Sequence, residues 1–316
     1  MGRITARRRV VRQQVGMPSV RTEDVVTVEE PLEIRVGGRA MAITMRTPGN
    51  DVELAMGFLL GEGIVHSGSD VQAARYCAGA TDDGVNTYNV LDVSLAAGVP
   101  APDPSLARAF YTTSSCGLCG RASIDAVKTR SVYGVTDADL VIDAARLAAM
   151  PTRLREHQSV FDKTGGLHAA GLFDSATGEL LVVREDVGRH NAVDKVIGWA
   201  AAQGRLPLRG IVLMVSGRAS FELTQKAWMA GIPVLAAVSA PSSLAVDLAA
   251  EAGMTLIGFL RGDSMVIYAG AERVSGEESN HGDRSAVIQG ATAGTERSKD
   301  ASTAGAKVAS MEGSAA

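Results

Sequence analysis

The chain has 316 residues, 46% of them hydrophobic and 21% charged, with a net charge of −4. Those values describe a folded globular protein with one large or two ordinary domains, not a disordered or fibrous one, and the net charge argues weakly against a nucleic-acid-coating chain. Three cysteines, two of them in one Cys-x-x-Cys, exclude a disulfide framework and fit a reducing compartment.

Residues 1–20 carry Arg3, Arg7, Arg8, Arg9 and Arg12 without a hydrophobic period, which predicts a basic, disordered tail; an arm for an acidic partner or a nucleic acid is the sharper alternative. No apolar core of signal-peptide length follows the arginines, and the longest apolar runs are strand-sized, so the cytoplasm is expected and a membrane is not. Residues 24–45 alternate apolar and polar, broken at Pro31 and at Gly37-Gly38, and predict two or three strands with a tight turn. Thr47-Pro-Gly-Asn-Asp then opens a helix whose apolar face holds Leu54, Phe58 and Leu59, ending at Gly61-Glu62-Gly63. Residues 86–95 read as a strand. Pro100, Pro102 and Pro104 make a stiff connector, and a domain boundary is expected near residue 110.

Beyond it lies Ser114-Ser-Cys116-Gly-Leu-Cys119-Gly120, a Gly-flanked loop tip before an apolar-periodic run. A thiol at a helix N-terminus is biased towards thiolate. Residues 137–150 read as a helix ended at Pro151 or followed there by another, and residues 153–162 continue the helical period. Strands are then expected at 167–173, 180–184, 211–215, 233–238, 255–260 and 265–268, with helices at 187–202, 219–230 and 242–252. This alternation predicts a mainly parallel α/β sheet covered on both faces, behind a smaller, strand-rich α+β domain over 21–110. The C-terminal domain would run over 111–272. Residues 273–316, rich in Gly, Ser, Ala and Thr, read as a flexible tail.

In such a sheet ligands gather at the carboxyl ends of strands. Polar, Gly-containing segments fall there: Gly165-Gly-Leu-His168, Arg184-Glu-Asp-Val-Gly-Arg-His-Asn191, Ser216-Gly217-Arg218 and Arg261-Gly-Asp-Ser264. Arg184, Arg189, Arg218 and Arg261 could together clamp phosphates, with Ser216-Gly217 as an anion-binding turn. His168 and His190 are weighed against the commoner role of a hydrogen-bonded structural histidine, and Asp186 and Asp194 against that of capping or ion-pair residues. His66, His157 and His281 receive no role, and Cys77 is expected to be a small buried hydrophobe. For Cys116 and Cys119 three chemistries compete. A zinc site lacks a second ligand pair, and His168-Ala-Ala170 lacks the deaminase glutamate. A thioredoxin-like dithiol is displaced from its usual place after a first strand. An exposed sulfur-carrying thiolate suits a mobile loop.

Together these segments resemble the formate dehydrogenase accessory sulfurtransferase family, FdhD. The resemblance rests on the stretch from Thr47-Pro-Gly-Asn-Asp through Gly61-Glu-Gly-Ile64, on Ser115-Cys-Gly-Leu-Cys-Gly, and on Thr164-Gly-Gly-Leu-His-Ala-Ala. It rests equally on Arg184 through Lys195, on Ser216-Gly-Arg-Ala-Ser-Phe-Glu and on Gly258-Phe-Leu-Arg-Gly-Asp, and it covers roughly residues 20–272. It implies a homodimeric sulfurtransferase that takes persulfide sulfur from a cysteine desulfurase. The acceptor would be the bis-molybdopterin guanine dinucleotide cofactor of formate dehydrogenase, held as cargo, with no resident metal. It further implies a cytidine-deaminase-like C-terminal domain. Cys116 is implied as the persulfide cysteine and Cys119 as its companion, with Phe259, Leu260, Arg261, Gly262, Asp263 and Ser264 in the cofactor-binding stretch; His168, Arg189, Ser216, Gly217 and Arg218 join them as the expected anion loops. A cofactor-binding chaperone for formate dehydrogenase without sulfur chemistry is the alternative.

Overall fold

A computed structural model describes residues 4–77, 88–103, 131–136 and 140–276. Cys116, Cys119 and the expected boundary near residue 110 lie outside the described residues, as does all of 277–316.

Strands β3 (Glu30–Val36) and β4 (Arg39–Arg46) form the expected hairpin, turning at Gly37 and Gly38, both with positive φ. With β5 (Val71–Tyr76) and β6 (Val90–Leu95) they make a four-stranded sheet in the order β4-β3-β6-β5, in which β3 and β6 run parallel. Helix α1 (Asp51–Gly61) follows β4 and buries Leu54, Ala55, Leu59 and Leu60 in one core with Leu32, Ile34, Leu91 and Val93 of that sheet.

The second sheet has six strands: β8 (His168–Asp174), β9 (Leu180–Asp186), β10 (Ile211–Val215), β11 (Val234–Ala237), β12 (Thr255–Arg261) and β13 (Ser264–Ala269). Their order is β13-β12-β11-β10-β8-β9. Only the β10-β11 and β11-β12 pairs are parallel; β8, β9 and β13 pair antiparallel to their neighbours. The sheet is therefore mixed rather than mainly parallel. The reason is connection length, since the turns after β8 and β12 are too short for a crossover, which needs a dozen residues or more. Both faces are covered as expected. Along β10, Ile211, Leu213 and Val215 enter the core shared with α1, while Val212 and Met214 enter a second core on the opposite face.

Helix α2 (Ala144–Glu156) covers that second face with Leu147, Met150 and Leu154, and a short helix α3 (Phe161–Thr164) follows. Pro151 was expected to end the first of two helices; instead α2 runs through it, because the apolar stripe it must bury lies on both sides of the proline. Asp143 caps α2, its carboxylate accepting from the Arg146 amide at 3.0 Å. Helices α4 (Arg189–Ala202), α5 (Phe221–Met229) and α6 (Ser243–Ala252) cover the first face.

Three further expectations are corrected. Residues 1–20 are not wholly irregular: β1 (Thr5–Arg12) pairs antiparallel with β2 (Val20–Thr27) in a separate two-stranded ribbon. Main-chain pairing holds it, and its exposed arginines hide it from a hydrophobic-period reading. The C-terminal tail begins later than residue 273, because β14 (Val274–Ser275) pairs with β7 (Ile142–Asp143). Cys77 is half-buried rather than fully buried.

The two sheets are locked together where α1 crosses α4. A Cβ on Gly57 would lie 1.9 Å from the Asp194 carbonyl oxygen, and one on Gly198 would lie 1.8 Å from that of Glu53. No side chain fits at either point, so glycine sets the closeness of the pair. Gly198→Ala should therefore force the helices apart and destabilise the fold by about 3 kcal/mol or more. A thermal scan should show the midpoint falling by roughly 5–10 °C; an unchanged midpoint would mean the seam relaxes freely.

Candidate functional site

The strand ends of the six-stranded sheet meet as the sequence suggests, because β9, β10, β11 and β12 all finish on one edge and β8 begins there. His168 opens β8 opposite Asp186, the last residue of β9. Ser216 follows β10 and is fixed twice to Ala169: its amide donates to the Ala169 carbonyl at 3.0 Å, and its Oγ accepts from the Ala169 amide at 2.9 Å. Gly217 lies beside His168; a Cβ there would come within 3.4 Å of Nδ1. The Gly217 carbonyl accepts from Ser239, whose own carbonyl accepts from Phe259 at 3.2 Å. Hydrogen bonds through Ala169 and Ser239 thus bring Ser216, Gly217 and Phe259 into one line, with His168 beside it.

Phe259 has φ +51° and remains exposed, within a β-bulge that interrupts β12. The bulge lets the backbone pass under Pro241, where a Cβ on Gly258 would lie 2.8 Å from the proline Cδ. Gly262 and Asp263 form the exposed turn into Ser264. Leu260 departs from expectation: its side chain is fully buried in the second core, so it supports the edge from behind and leaves only main chain to the site.

The four-arginine clamp is also corrected. Arg184 is bound to Glu53 through Nε at 2.6 Å and Nη2 at 2.7 Å, which spends its planar fork inside the fold. Arg261 donates from Nε to the Val238 carbonyl at 2.9 Å. Arg189 and Arg218 remain. Arg218 is exposed, whereas Arg189, in the first turn of α4, has a buried Nε without a hydrogen-bond acceptor.

The acids nearby are already occupied. Asp186, fully buried, accepts from the Thr47 amide at 3.2 Å, the Gly188 amide at 2.8 Å and Asn191 Nδ2 at 3.0 Å, and pairs with Lys195 at 2.7 Å. Asp194 pairs with Lys226 at 2.6 Å. The sequence reading missed Glu222, which stands in the first turn of α5 with Oε2 3.7 Å from His190 Nε2; Ser220 Oγ lies 3.5 Å from the same nitrogen. That contact is an ion-pair distance, and the His190 contact holds the Glu222 carboxyl down at about 2 against the burial that would raise it. No residue pattern announces this partner; only the fold brings α4 and α5 together.

His168 is pushed below the ordinary histidine value, first by burial and then by Arg189 and His190, with Asp186 opposing. The edge therefore presents a histidine that favours its neutral form, a guanidinium without a carboxylate among the described residues, and glycine-bearing backbone at Gly217 and Gly262. That combination suits a ligand bearing an anionic, hydrogen-bonding group. Among the described residues no group of three or more His, Cys, Asp or Glu side chains is placed to hold a metal ion, and no helix is long and apolar enough to cross a membrane.

The FdhD/NarQ family model matches residues 27–275. A sulfur carrier protein FdhD from Mycolicibacterium paratuberculosis is 63% identical over 271 residues, covering 86% of this chain and 99% of that protein. The sulfur carrier protein FdhD of Streptomyces coelicolor is 62% identical, covering 87% and 97%. A candidate formate dehydrogenase accessory protein from Desulfotalea psychrophila superposes with a TM-score of 0.67 at 23% identity, over 86% of this chain and all of the other, a likeness of fold.

Both perturbed groups make stability fall with acid. His168 binds a proton less readily folded than unfolded, so its contribution is present above 6.5 and is lost as pH falls below it. Glu222 ionises more readily folded, so its contribution is present above 4.5 and is lost as pH falls from there through about 2. Urea midpoints measured against pH should lose the upper part of this decline in His168→Gln and the lower part in Glu222→Gln. Superimposable profiles for wild type and both variants would refute the assignment.

Proposed function

The chain belongs to the FdhD/NarQ family, and from that premise we propose that it is a sulfur carrier serving formate dehydrogenase in the cytoplasm as a homodimer. Its donor would be a cysteine desulfurase and its acceptor the bis-molybdopterin guanine dinucleotide cofactor, bound as cargo. The observation that carries the reading is the extent of the match: residues 27–275 include Cys116 and Cys119 as well as the residues at the strand-end edge. The curated relatives bear the name sulfur carrier protein, and the fold neighbour is described as a formate dehydrogenase accessory protein. A cytidine-deaminase-like description of the C-terminal sheet belongs to the same reading, supported by its six strands with helices on both faces.

In this mechanism the Cys116 thiolate attacks the terminal sulfur of the donor's persulfide. The S–S bond of the donor breaks, the donor leaves as a thiolate, and Cys116 carries the persulfide; no net oxidant is consumed. The cofactor's phosphates would meet Arg189, whose Nε lacks an acceptor, together with exposed Arg218 and the turn at Ser216-Gly217. Phe259 would offer its exposed ring to a planar group, and Arg261, Gly262, Asp263 and Ser264 would border it. His168, favouring the neutral state, can donate or accept a hydrogen bond there. Molybdenum accepts the sulfur as part of the cargo. Cys119 would assist by attacking the inner sulfur of the Cys116 persulfide, forming a disulfide and releasing hydrosulfide; a cellular dithiol then resets the pair.

Intact mass spectrometry after incubation with a cysteine desulfurase and L-cysteine tests the carrier step. Wild type should gain one sulfur atom that reductant removes, and Cys116→Ser should gain none. No gain in wild type, with guanine-nucleotide binding retained and formate dehydrogenase still activated by Cys116→Ser, would replace the carrier by a cofactor-binding chaperone.

A further inference from the structure

The β1–β2 ribbon is the part of the molecule that the sulfur-carrier reading leaves unused. It pairs residues 5–12 with residues 20–27, and among the described residues neither strand has a second neighbour, so both outer edges present unpaired main-chain groups. Its base is anchored where Thr27 Oγ1 donates to Thr164 Oγ1 at 3.0 Å, beside a groove of about 850 Å³ lined by Arg7, Arg8, Val25, Glu30 and Lys163. Its far end is apolar and bare: Val11 is 61% exposed, Val15 98%, Met17 58% and Val20 60%. An isolated two-stranded hairpin is marginal in water, and such an end gains by being covered.

Charge names the cover. Residues 1–28 hold Arg3, Arg7, Arg8, Arg9, Arg12 and Arg21 against Glu23 and Asp24, while the whole chain is net −4, so the remainder is net −8. Two of these arginines meet acids across the ribbon, Arg7 with Glu23 at 3.7 Å and Arg12 with Asp24 at 3.8 Å, in exposed pairs of little strength. Arg8, Arg9 and Arg21 meet no carboxylate among the described residues. The complementary net charge already present belongs to the rest of this same chain. A strand of eight residues spans roughly 26 Å, far enough to leave its own body. A nucleic acid fits less well, since Glu23 and Asp24 interrupt the basic face and valines alternate along it.

We propose that the ribbon of residues 4–28 is an arm that docks on the acidic body of a second copy of this chain, offering a free strand edge, basic side chains and an apolar tip. The inference rests on the two-copy part of the reading above and on none of its sulfur chemistry. Association of this kind combines strand addition with electrostatic matching, so it weakens with salt.

Sedimentation equilibrium of the full chain tests it against two variants, Arg8→Glu with Arg9→Glu and Arg21→Glu, and Val11→Asp with Val20→Asp. The wild type should be a dimer whose dissociation constant rises at high salt. Both variants should raise it about tenfold or more while circular dichroism and sulfur loading on Cys116 stay unchanged. A wild-type dimer that both variants retain at full affinity would overturn the arm and keep the two-copy reading. A monomer at every concentration, salt and variant would overturn both.

Discussion

A carboxylate without access to water holds this molecule together. Asp186 ends β9 and satisfies the Thr47 amide, the Gly188 amide, Asn191 and the ammonium of Lys195, whose Nζ also donates to the Thr47 carbonyl at 2.9 Å. The link from β4 to α1, the end of β9 and the start of α4 are thereby fixed to one another through a single side chain. Losing one member of such a set strands a buried charge, at a cost of about 3–5 kcal/mol. Three more ion pairs lie nearby: Arg46 with Asp51, Arg184 with Glu53, and Lys226 with Asp194. Around these pairs the glycine contact of α1 with α4 excludes everything but backbone.

This arrangement separates two uses of charge that look alike in a sequence. Arg184 and Arg189 stand five residues apart in one motif, yet one is locked to a glutamate and the other has a buried nitrogen without an acceptor. Because Asp186 and Asp194 each have an ammonium partner and Glu222 faces His190, none of the three is left to neutralise Arg189. An anion arriving at the strand ends finds positive charge whose internal competitors have been removed. The acids that could have spoiled the site are the ones that build it.

Most helices and strands were legible from period and punctuation. The strand at Ile211–Val215 and the glycine turn before β4 follow directly from apolar runs and left-handed backbone. Strand direction was equally available, since five residues between β8 and β9 and two between β12 and β13 allow no crossover, and the mainly parallel expectation overlooked that. The ribbon was hidden because hydrophobic burial does not hold it. Pro151 misled because a buried stripe on both sides outweighed its local cost. The positions of His168, Ser216 and Gly217 along one edge were anticipated from the strand ends, whereas Phe259 was named only through the family resemblance. The fate of Arg184 and the role of Glu222 were not, because their partners lie on other elements: Glu53 is 131 residues from Arg184. Composition names the charges; only tertiary structure says which of them are already paired.

The bulge at Phe259 bears on the entropy of recognition. Free loops lose conformational freedom when they bind, and that loss subtracts from affinity. Here the loss falls in the folding reaction: the Phe259 amide is tied to Ser239, the residue before it passes tightly beneath Pro241, and the strained torsion is held by the surrounding sheet. The aromatic ring is consequently displayed from a main chain already tied down by folding, so that any ligand stacking on it would meet little further ordering of that backbone.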